Sequence, residues 1–423
     1  MKKKVLIISG NPLDLCQNNG KTLLSFFTGY GRENLAQLYF YPSVPNTEEF
    51  DTFFRISDFD ILKKRLRKTA GAGGPVTPQA SQGSQPVSEE VARMGKLKKG
   101  AFMRLAREVL WKGAWRSDGL DRWLDTVAPD CIFFVAGDSL YSYAICEYVR
   151  QRCKAKLIVY VTDDYILPRR TLNPFRELRR RLIAKKMKQC VADANLFITI
   201  SEKMRETYRT VLGKDSQLAV NMSESLKDES MAVSAGSDKT VLAYLGGLHY
   251  NRDKTLHALG EAVERVNAAH GTNLFLEIYS NARLDEGQKA ALEVPGASRF
   301  CGQLDQAGVK RKVNEADILV HVESFLPQNI EDVRLSVSTK IPEYLSVGKP
   351  ILAIGPQNVA SMEYLQDKAC CVTDERTLEE KLLKLARDPS LRAELGARGL
   401  AAYEHNHRRE VRQAALWNAI DSL

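Results

Sequence analysis

The chain has no Cys-x-x-Cys pair and no apolar run long enough to cross a bilayer. Its eight cysteines (Cys16, Cys131, Cys146, Cys153, Cys190, Cys301, Cys370 and Cys371) are scattered through apolar segments. That excludes a disulfide framework and sites built on paired thiolates, and it fits a reduced, cytoplasmic setting. Six histidines offer one close spacing, His405-x-His407, and Asp163-Asp164 is the one acidic pair worth weighing, so no catalytic metal is expected. After three N-terminal lysines the apolar run is only Val5 to Ile8, which reads as a strand rather than a signal peptide. Aromatic residues are 8% of the chain and recur at no RNA-binding signature; without zinc-finger, homeodomain or RRM motifs, nucleic acid is not an expected partner.

What is present is a chain of 423 residues with 44% hydrophobic residues, enough for two domains of about 200 residues each. Lys and Arg total 61 against 52 acidic residues, a net charge of +9, which favours an anionic partner. Strand-length apolar runs (Val5–Ile8, Cys131–Val135, Leu157–Val161, Leu196–Ile200, then Val241–Leu245, Leu274–Tyr279, Ile318–Val322, Ile351–Ile354) alternate with amphipathic stretches, the pattern of parallel sheets with crossover helices. The reading is α/β: an N-terminal domain over 1–220, a polar linker over 221–239, a C-terminal domain over 240–399 and a helical stripe over 400–423. Residues 69–90, rich in Gly, Ala, Ser, Pro and Gln, read as a disordered insertion.

The segment from Ser336 to Gly355 joins a small polar loop, a helix and a buried strand. Ser336, Ser338 and Thr339 can turn amides and hydroxyls toward a phosphate, Pro342 suits the first helical turn, and Gly348 with Pro350 ends the helix. Lys340 can hold a diphosphate, and Glu343, one turn in, can accept hydrogen bonds from two ribose hydroxyls. The expected ligand is a nucleoside diphosphate sugar. Upstream, Val241–Leu245 runs into Gly246, Gly247, Arg252 and Lys254, a glycine turn beside positive charge at a helix start. The Gly20-Lys21-Thr22 ending resembles a P-loop, but that motif needs glycine at position 15, where Leu15 stands.

Ser338-Thr-Lys-Ile-Pro-Glu-Tyr-Leu-Ser-Val-Gly-Lys-Pro350 resembles the donor-binding helix of GT-B glycosyltransferases, especially the retaining family-4 type. Val191–Tyr208, with its Ala-Asp segment, strand and Ile-Ser before a helix, is a further marker of that resemblance. It implies two Rossmann-like domains facing a central cleft, a C-terminal helix crossing back to the first domain, and sugar transfer without a cofactor. It places the donor diphosphate against Lys254 and, in place of the usual arginine at Gly247, Arg252. The family's first glutamate falls on Leu335, leaving Glu323, Glu331 or Asp332 as substitutes. On the acceptor side it points to Asn19, Gly20 and Lys21 after the first strand, and to Asp138, Asp163 and Asp164 at later strand ends, where a carboxylate can orient or deprotonate an acceptor.

Two basic runs, Lys96 to Arg116 and Arg169 to Lys188, lie in the acceptor domain, the first interleaved with Phe102, Leu105, Val109, Leu110, Trp111 and Trp115. Each reads either as a solvated helix face or as a surface for anionic lipid. The expectation is a metal-independent glycosyltransferase of cell-surface polysaccharide synthesis acting on a glycan or lipid-linked glycan. It would be cytoplasmic, free or peripheral on the inner face of the plasma membrane. The alternatives are a non-catalytic nucleotide-binding partner subunit, an inverting GT-B enzyme and a nucleotide-sugar epimerase.

Overall fold

In a computed structural model, which describes residues 2–14, 18–67, 71–79, 100–230 and 239–423, the chain forms two compact units. One comprises Met1–Ala219 with Glu410–Leu423, the other Val220–Arg409.

The first unit is built on an eight-stranded sheet: β1 (Val5–Ser9), β2 (Leu35–Tyr39), β3 (Phe53–Arg55), β4 (Gly74–Val76), β5 (Cys131–Ala136), β6 (Lys156–Val161), β7 (Leu196–Thr199) and β8 (Gln217–Leu218). Their order is β4-β3-β2-β1-β5-β6-β7-β8, parallel except for the β3–β4 pair. β1 is buried along its whole length, which is why Val5–Ile8 reads as a continuous apolar run; β2 is buried along its whole length too, but Gln37 interrupts it and the sequence does not mark it as a strand. The β4 strand corrects part of the disordered insertion expected over 69–90. Residues 71–79 are ordered on the sheet edge, where Pro75 needs no ladder donor, and the Cβ position of Gly73 (φ +80°) lies 2.1 Å from the Arg55 carbonyl oxygen. Residues 69–70 and 80–90 of that expectation lie outside the described residues.

The second unit has six parallel strands, β9 (Thr240–Leu245), β10 (Leu274–Tyr279), β11 (Ser298–Gly302), β12 (Ile318–Val322), β13 (Ile351–Ile354) and β14 (Cys370–Val372), in the order β11-β10-β9-β12-β13-β14. The order reverses between β9 and β12, so their C-terminal ends open a crevice where α/β sheets bind ligands. Side chains alternate along β9: Leu242 and Tyr244 pack with Leu256, Leu259 and Val263 of the helix Arg252–His270, while Ala243 and Leu245 pack with Ile341, Tyr344 and Leu345 of the helix Lys340–Leu345.

The polar stretch expected as a linker is fastened to the second unit over 221–230. Asn221 Nδ2 donates to the Val337 carbonyl at 3.0 Å, Leu226 N–H to Ser346 Oγ at 3.0 Å, and Asp228 N–H to Asn314 Oδ1 at 3.0 Å. The composition that suggests a linker supplies hydrogen-bonding groups instead; residues 231–238 lie outside the described residues. The C-terminal stripe is two helices, Pro389–Asn406 and Arg409–Asp421. Between them buried His407 places Nδ1 2.6 Å from the Asn221 carbonyl and Nε2 2.6 Å from the Tyr364 hydroxyl. The last helix belongs to the first unit, where Gln413 and Trp417 donate to the carbonyls of Ser25 and Phe26.

Candidate functional site

The glycine turn after β9 is held by two tyrosines. Tyr344 accepts from Leu245 N–H at 2.9 Å and donates to the Leu245 carbonyl at 3.2 Å, while Tyr244 donates to the Gly247 carbonyl at 2.7 Å. A Cβ on Gly246 would sit 2.6 Å from the Tyr244 hydroxyl, and one on Gly247 would sit 2.5 Å from His249 Nδ1. An arginine at 247 would therefore collide with the His249 ring. Tyr250 (φ 61°) and Asn251 (φ 56°) are both left-handed, a strained pair stabilised by Asn329 Nδ2, 2.7 Å from the Tyr250 carbonyl and 3.0 Å from Asn251 Oδ1.

This turn delivers Arg252 to Glu323. Arg252 Nη2 and Nε lie 2.9 and 3.3 Å from Glu323 Oε2, with the Glu323 side chain 3% exposed. His321 Nε2 is 3.4 Å from the other carboxylate oxygen, without hydrogen-bond alignment. Burial alone would raise the Glu323 carboxyl, but His321 and Arg252 outweigh it and hold it below its ordinary value. Burial likewise works against the Arg252 charge, which Glu323 more than restores. His249 is pushed down by burial and then by the Arg252 charge, which favours its neutral imidazole. Lys254 sits exposed in the first turn of the helix.

The 336–343 segment reaches the same strand end through Tyr344. Within it, Ser361 Oγ accepts from Ser338 N–H at 3.1 Å and Ser338 Oγ from Lys340 N–H at 3.3 Å, so part of the loop's polar capacity serves the loop itself. Ser336 is half-buried, with its carbonyl accepting from Ser361 Oγ at 3.3 Å, and Thr339 is exposed. Lys340 Nζ and Glu343 Oε2 pair at 3.2 Å, where the sequence suggests separate duties toward phosphate and ribose. Leu335 is buried. Glu331 and Asp332 stand on the helix Pro327–Val333, leaving Glu323 as the carboxylate joined to the arginine of the turn. Its place directly after a buried strand was the sequence signal for it; the partner 71 residues away was not visible.

In the first unit the candidate carboxylates are spread among separate local structures. Asp138 Oδ2 lies 2.9 Å from Arg104 Nη1 and 3.3 Å from Arg179 Nη1, and its carbonyl accepts from Arg179 Nη2. Asp163 Oδ2 accepts from Thr162 Oγ1 at 3.1 Å and Tyr165 Oη at 3.0 Å. Asp164 is buried, its Oδ1 accepting from Ile166 N–H at 3.1 Å and Leu167 N–H at 3.0 Å, the bonds of a turn-closing carboxylate, and from the Tyr208 hydroxyl at 3.4 Å. Asn19, Gly20 and Lys21 lie in the first turn of the helix Asn18–Phe27; the Asn19 side chain is outside the described residues. A Cβ on Gly20 would meet the Pro12 carbonyl oxygen at 2.6 Å, so this glycine serves close backbone packing. Sequence reasoning missed Glu108, whose carboxylate accepts the Leu140 and Tyr141 N–H groups at 3.0 and 3.1 Å. Burial raises its pKa despite those bonds.

No protein-family model matches the chain, and no curated protein matches it in sequence. Solved structures do match in shape. A glycosyltransferase from Rickettsia africae is 9% identical with a TM-score of 0.57, over 99% of this chain and 98% of that one. WaaG, a glycosyltransferase involved in lipopolysaccharide biosynthesis, is 11% identical with a TM-score of 0.56, over 97% and 98%. An E. coli trehalose-6-phosphate protein bound with UDP-2-fluoro glucose is 12% identical with a TM-score of 0.60, over 99% of both chains. The fold is that of GT-B glycosyltransferases. It agrees with the α/β class and the two Rossmann-like sheets expected from the sequence. A fold locates the ligand crevice but does not choose the chemistry. Among the described residues, no group of three or more His, Cys, Asp or Glu side chains could hold a metal ion, and no helix is long and apolar enough to cross a membrane.

Proposed function

We propose that this chain is a glycosyltransferase that moves a sugar from a nucleoside diphosphate sugar to a glycan or lipid-linked glycan, with retention, in cell-surface polysaccharide synthesis. The observation that carries the reading is the meeting, at the β9 strand end, of the strained glycine turn bearing Arg252 with the helix bearing Lys340, Glu343 and Tyr344. When the bond from the anomeric carbon to the diphosphate oxygen breaks, the electron pair stays on the diphosphate. Preorganised positive charge lowers that barrier. Arg252, Lys254, Lys340 and the amides of 336–339 supply it without a metal. Glu343 accepts from the ribose hydroxyls, and Glu323, exchanging Arg252 for substrate, accepts from a sugar hydroxyl in place of the carboxylate missing at Leu335. In a front-face retaining step the departing phosphate takes the acceptor proton, so Asp138 and Asp163 orient the acceptor; Asp164 is committed to its turn. Lipid-linked acceptors would bring the protein to the inner, anionic face of the plasma membrane, and nucleic acid has no role.

A second reading, a nucleotide-binding partner subunit without activity, is favoured by the buried Leu335 and by the Arg252–Glu323 pair already closed upon itself. Phosphorus NMR on protein incubated with UDP-, GDP-, ADP- and CMP-linked sugars and a lipid-linked glycan extract as acceptor, with and without EDTA, separates the two. The active reading expects nucleotide release with one base, indifferent to EDTA and lost in Arg252→Ala. Binding without release gives the second reading. An α-configured product from an α-configured donor shows retention, inversion contradicts it, and a new epimer of the donor would mean an epimerase.

A further inference from the structure

Buried cores leave few large apolar side chains in water, and contiguous exposed ones mark a surface that meets something else. Of the fourteen exposed large apolar side chains among the described residues, nine lie on three neighbouring helices of the first unit and a tenth just before one of them. On the helix Asp58–Arg67 they are Phe59, Leu62 and Leu66, spaced i, i+3 and i+7. On the helix Ala101–Trp111, Phe102 and Val109 share one stripe beside Met103. On the helix Pro174–Ala192, Phe175, Leu178 and Leu182 repeat the i, i+3, i+7 spacing, with the fully exposed Leu172 just before it. That last helix keeps a separate inward stripe, Arg179, Ile183, Met187 and Val191, so the outer one is not spare core.

The three elements are physically joined. Arg65 donates from Nε to the Leu110 carbonyl at 3.2 Å and from Nη2 to the Lys112 carbonyl at 2.7 Å. Phe102 and Phe175 meet edge to face with ring centroids 5.8 Å apart. The charge around them is predominantly positive: Asp58, Asp60 and Glu108 stand on the first two helices and Arg104 and Arg181 pair with Asp138 and Glu177, but Arg and Lys outnumber them. The helix Pro174–Ala192 carries seven Arg and Lys against the single acidic Glu177, with Arg176, Arg181, Lys185 and Lys188 exposed. Lys63, Arg65, Arg104 and Lys112 are exposed on the other two elements. The apolar residues named from sequence divide: Trp111 and Trp115 are buried, while Phe102 and Val109 face out.

We infer that this three-helix face is a membrane-docking surface that inserts its apolar stripes at the headgroup level of an anionic bilayer while the surrounding Arg and Lys engage lipid phosphates. Charge complementarity selects the occupant: a second copy of the chain would bring like charge against like. The surface bears on the lipid-linked acceptor proposed above, but its binding needs neither donor nor acceptor, so it can stand or fall separately.

The test is flotation of the full chain with phosphatidylcholine vesicles, with and without phosphatidylglycerol, at low and high salt. Binding is expected only with the anionic lipid, falling with salt. The triple variant Leu172→Asp, Phe175→Asp, Leu178→Asp loses at least roughly tenfold in partition while keeping its circular dichroism and melting temperature, because the three side chains are exposed. Lys185→Glu with Lys188→Glu loses at least about fivefold for each residue. Absent binding to anionic vesicles, or binding that survives both variants, overturns the inference. So does a concentration-dependent dimer that the triple variant dissolves, which would make the face a self-interface. Nucleotide release in the same variants without vesicles reports on the transferase reading alone.

Discussion

The strand ends of the two sheets present acidic residues in opposite circumstances. In the first unit, Asp164 after β6 closes its own turn by accepting from two backbone amides and also accepts from the Tyr208 hydroxyl, and Asp138 after β5 is held between Arg104 and Arg179. In the second, Glu323 after β12 is equally buried but bound to an arginine whose helix follows two consecutive left-handed residues. A carboxylate closing a turn answers to local geometry; one paired across two strand ends can exchange its partner for a ligand. A carboxylate at a strand end is therefore ambiguous until its partner is known.

The largest expected effect breaks the second arrangement. Arg252→Ala leaves Glu323 buried with only His321 beside it, and losing one member of a buried pair costs about 3 to 5 kcal/mol. Chemical denaturation measures that loss. Because the folded Glu323 value lies below the ordinary 4.5, its contribution is present above that pH and is lost as pH falls through the lowered value. Glu323→Gln should flatten this acid limb, seen as melting temperature against pH.

Asp164→Ala should come next, at about 1 to 3 kcal/mol for the buried Ile166 amide it leaves unpaired, with a smaller cost at the half-buried Leu167 amide. Its effect should fall on stability, with kcat spared at temperatures where the variant is folded; a large fall in kcat at full stability would erase the contrast with Glu323. Tyr344→Phe removes the hydroxyl shared by Leu245 N–H and carbonyl, costing about 1 to 3 kcal/mol and weakening nucleotide binding, as calorimetry would show. The smallest effect belongs to Glu177. Hydrogen bonds from Arg180, then Arg181, lower it to about 2, so its stabilisation is present above the ordinary 4.5 and is lost as pH falls toward 2. Glu177→Gln should change melting little at neutral pH, since the pairing is exposed.

Eight of the fourteen strands were legible as apolar runs, while β2, β3, β4, β8, β11 and β14 are short or polar-interrupted and were not; the 336–355 segment was legible because its polar loop, helix and strand are consecutive. What stayed hidden depends on long-range partners or on backbone hydrogen bonding. The β4 edge strand is Gly-Pro-Val and carries no strand signal; its ladder with β3 makes it one. Residues 221–230 have a linker's composition, yet Asn314 and Ser346 bind their backbone. Glu323 was one of three equal carboxylates until Arg252 reached it, and Glu108 gave no sign of capping a helix that begins 32 residues later. Gly247 reads as a departure from a family pattern, and the His249 ring beside its Cβ position gives the steric reason.

The most direct test of the donor site is calorimetric titration of the full chain with UDP-, GDP-, ADP- and CMP-linked sugars in EDTA, beside Glu343→Ala and Glu323→Gln. One nucleotide class should bind the wild type; Glu343→Ala should lose affinity for the sugar donor and the free nucleoside diphosphate alike, and Glu323→Gln chiefly for the sugar donor. No binding of any donor or nucleoside diphosphate, or binding indifferent to both substitutions, would contradict a donor site at the β9 strand end.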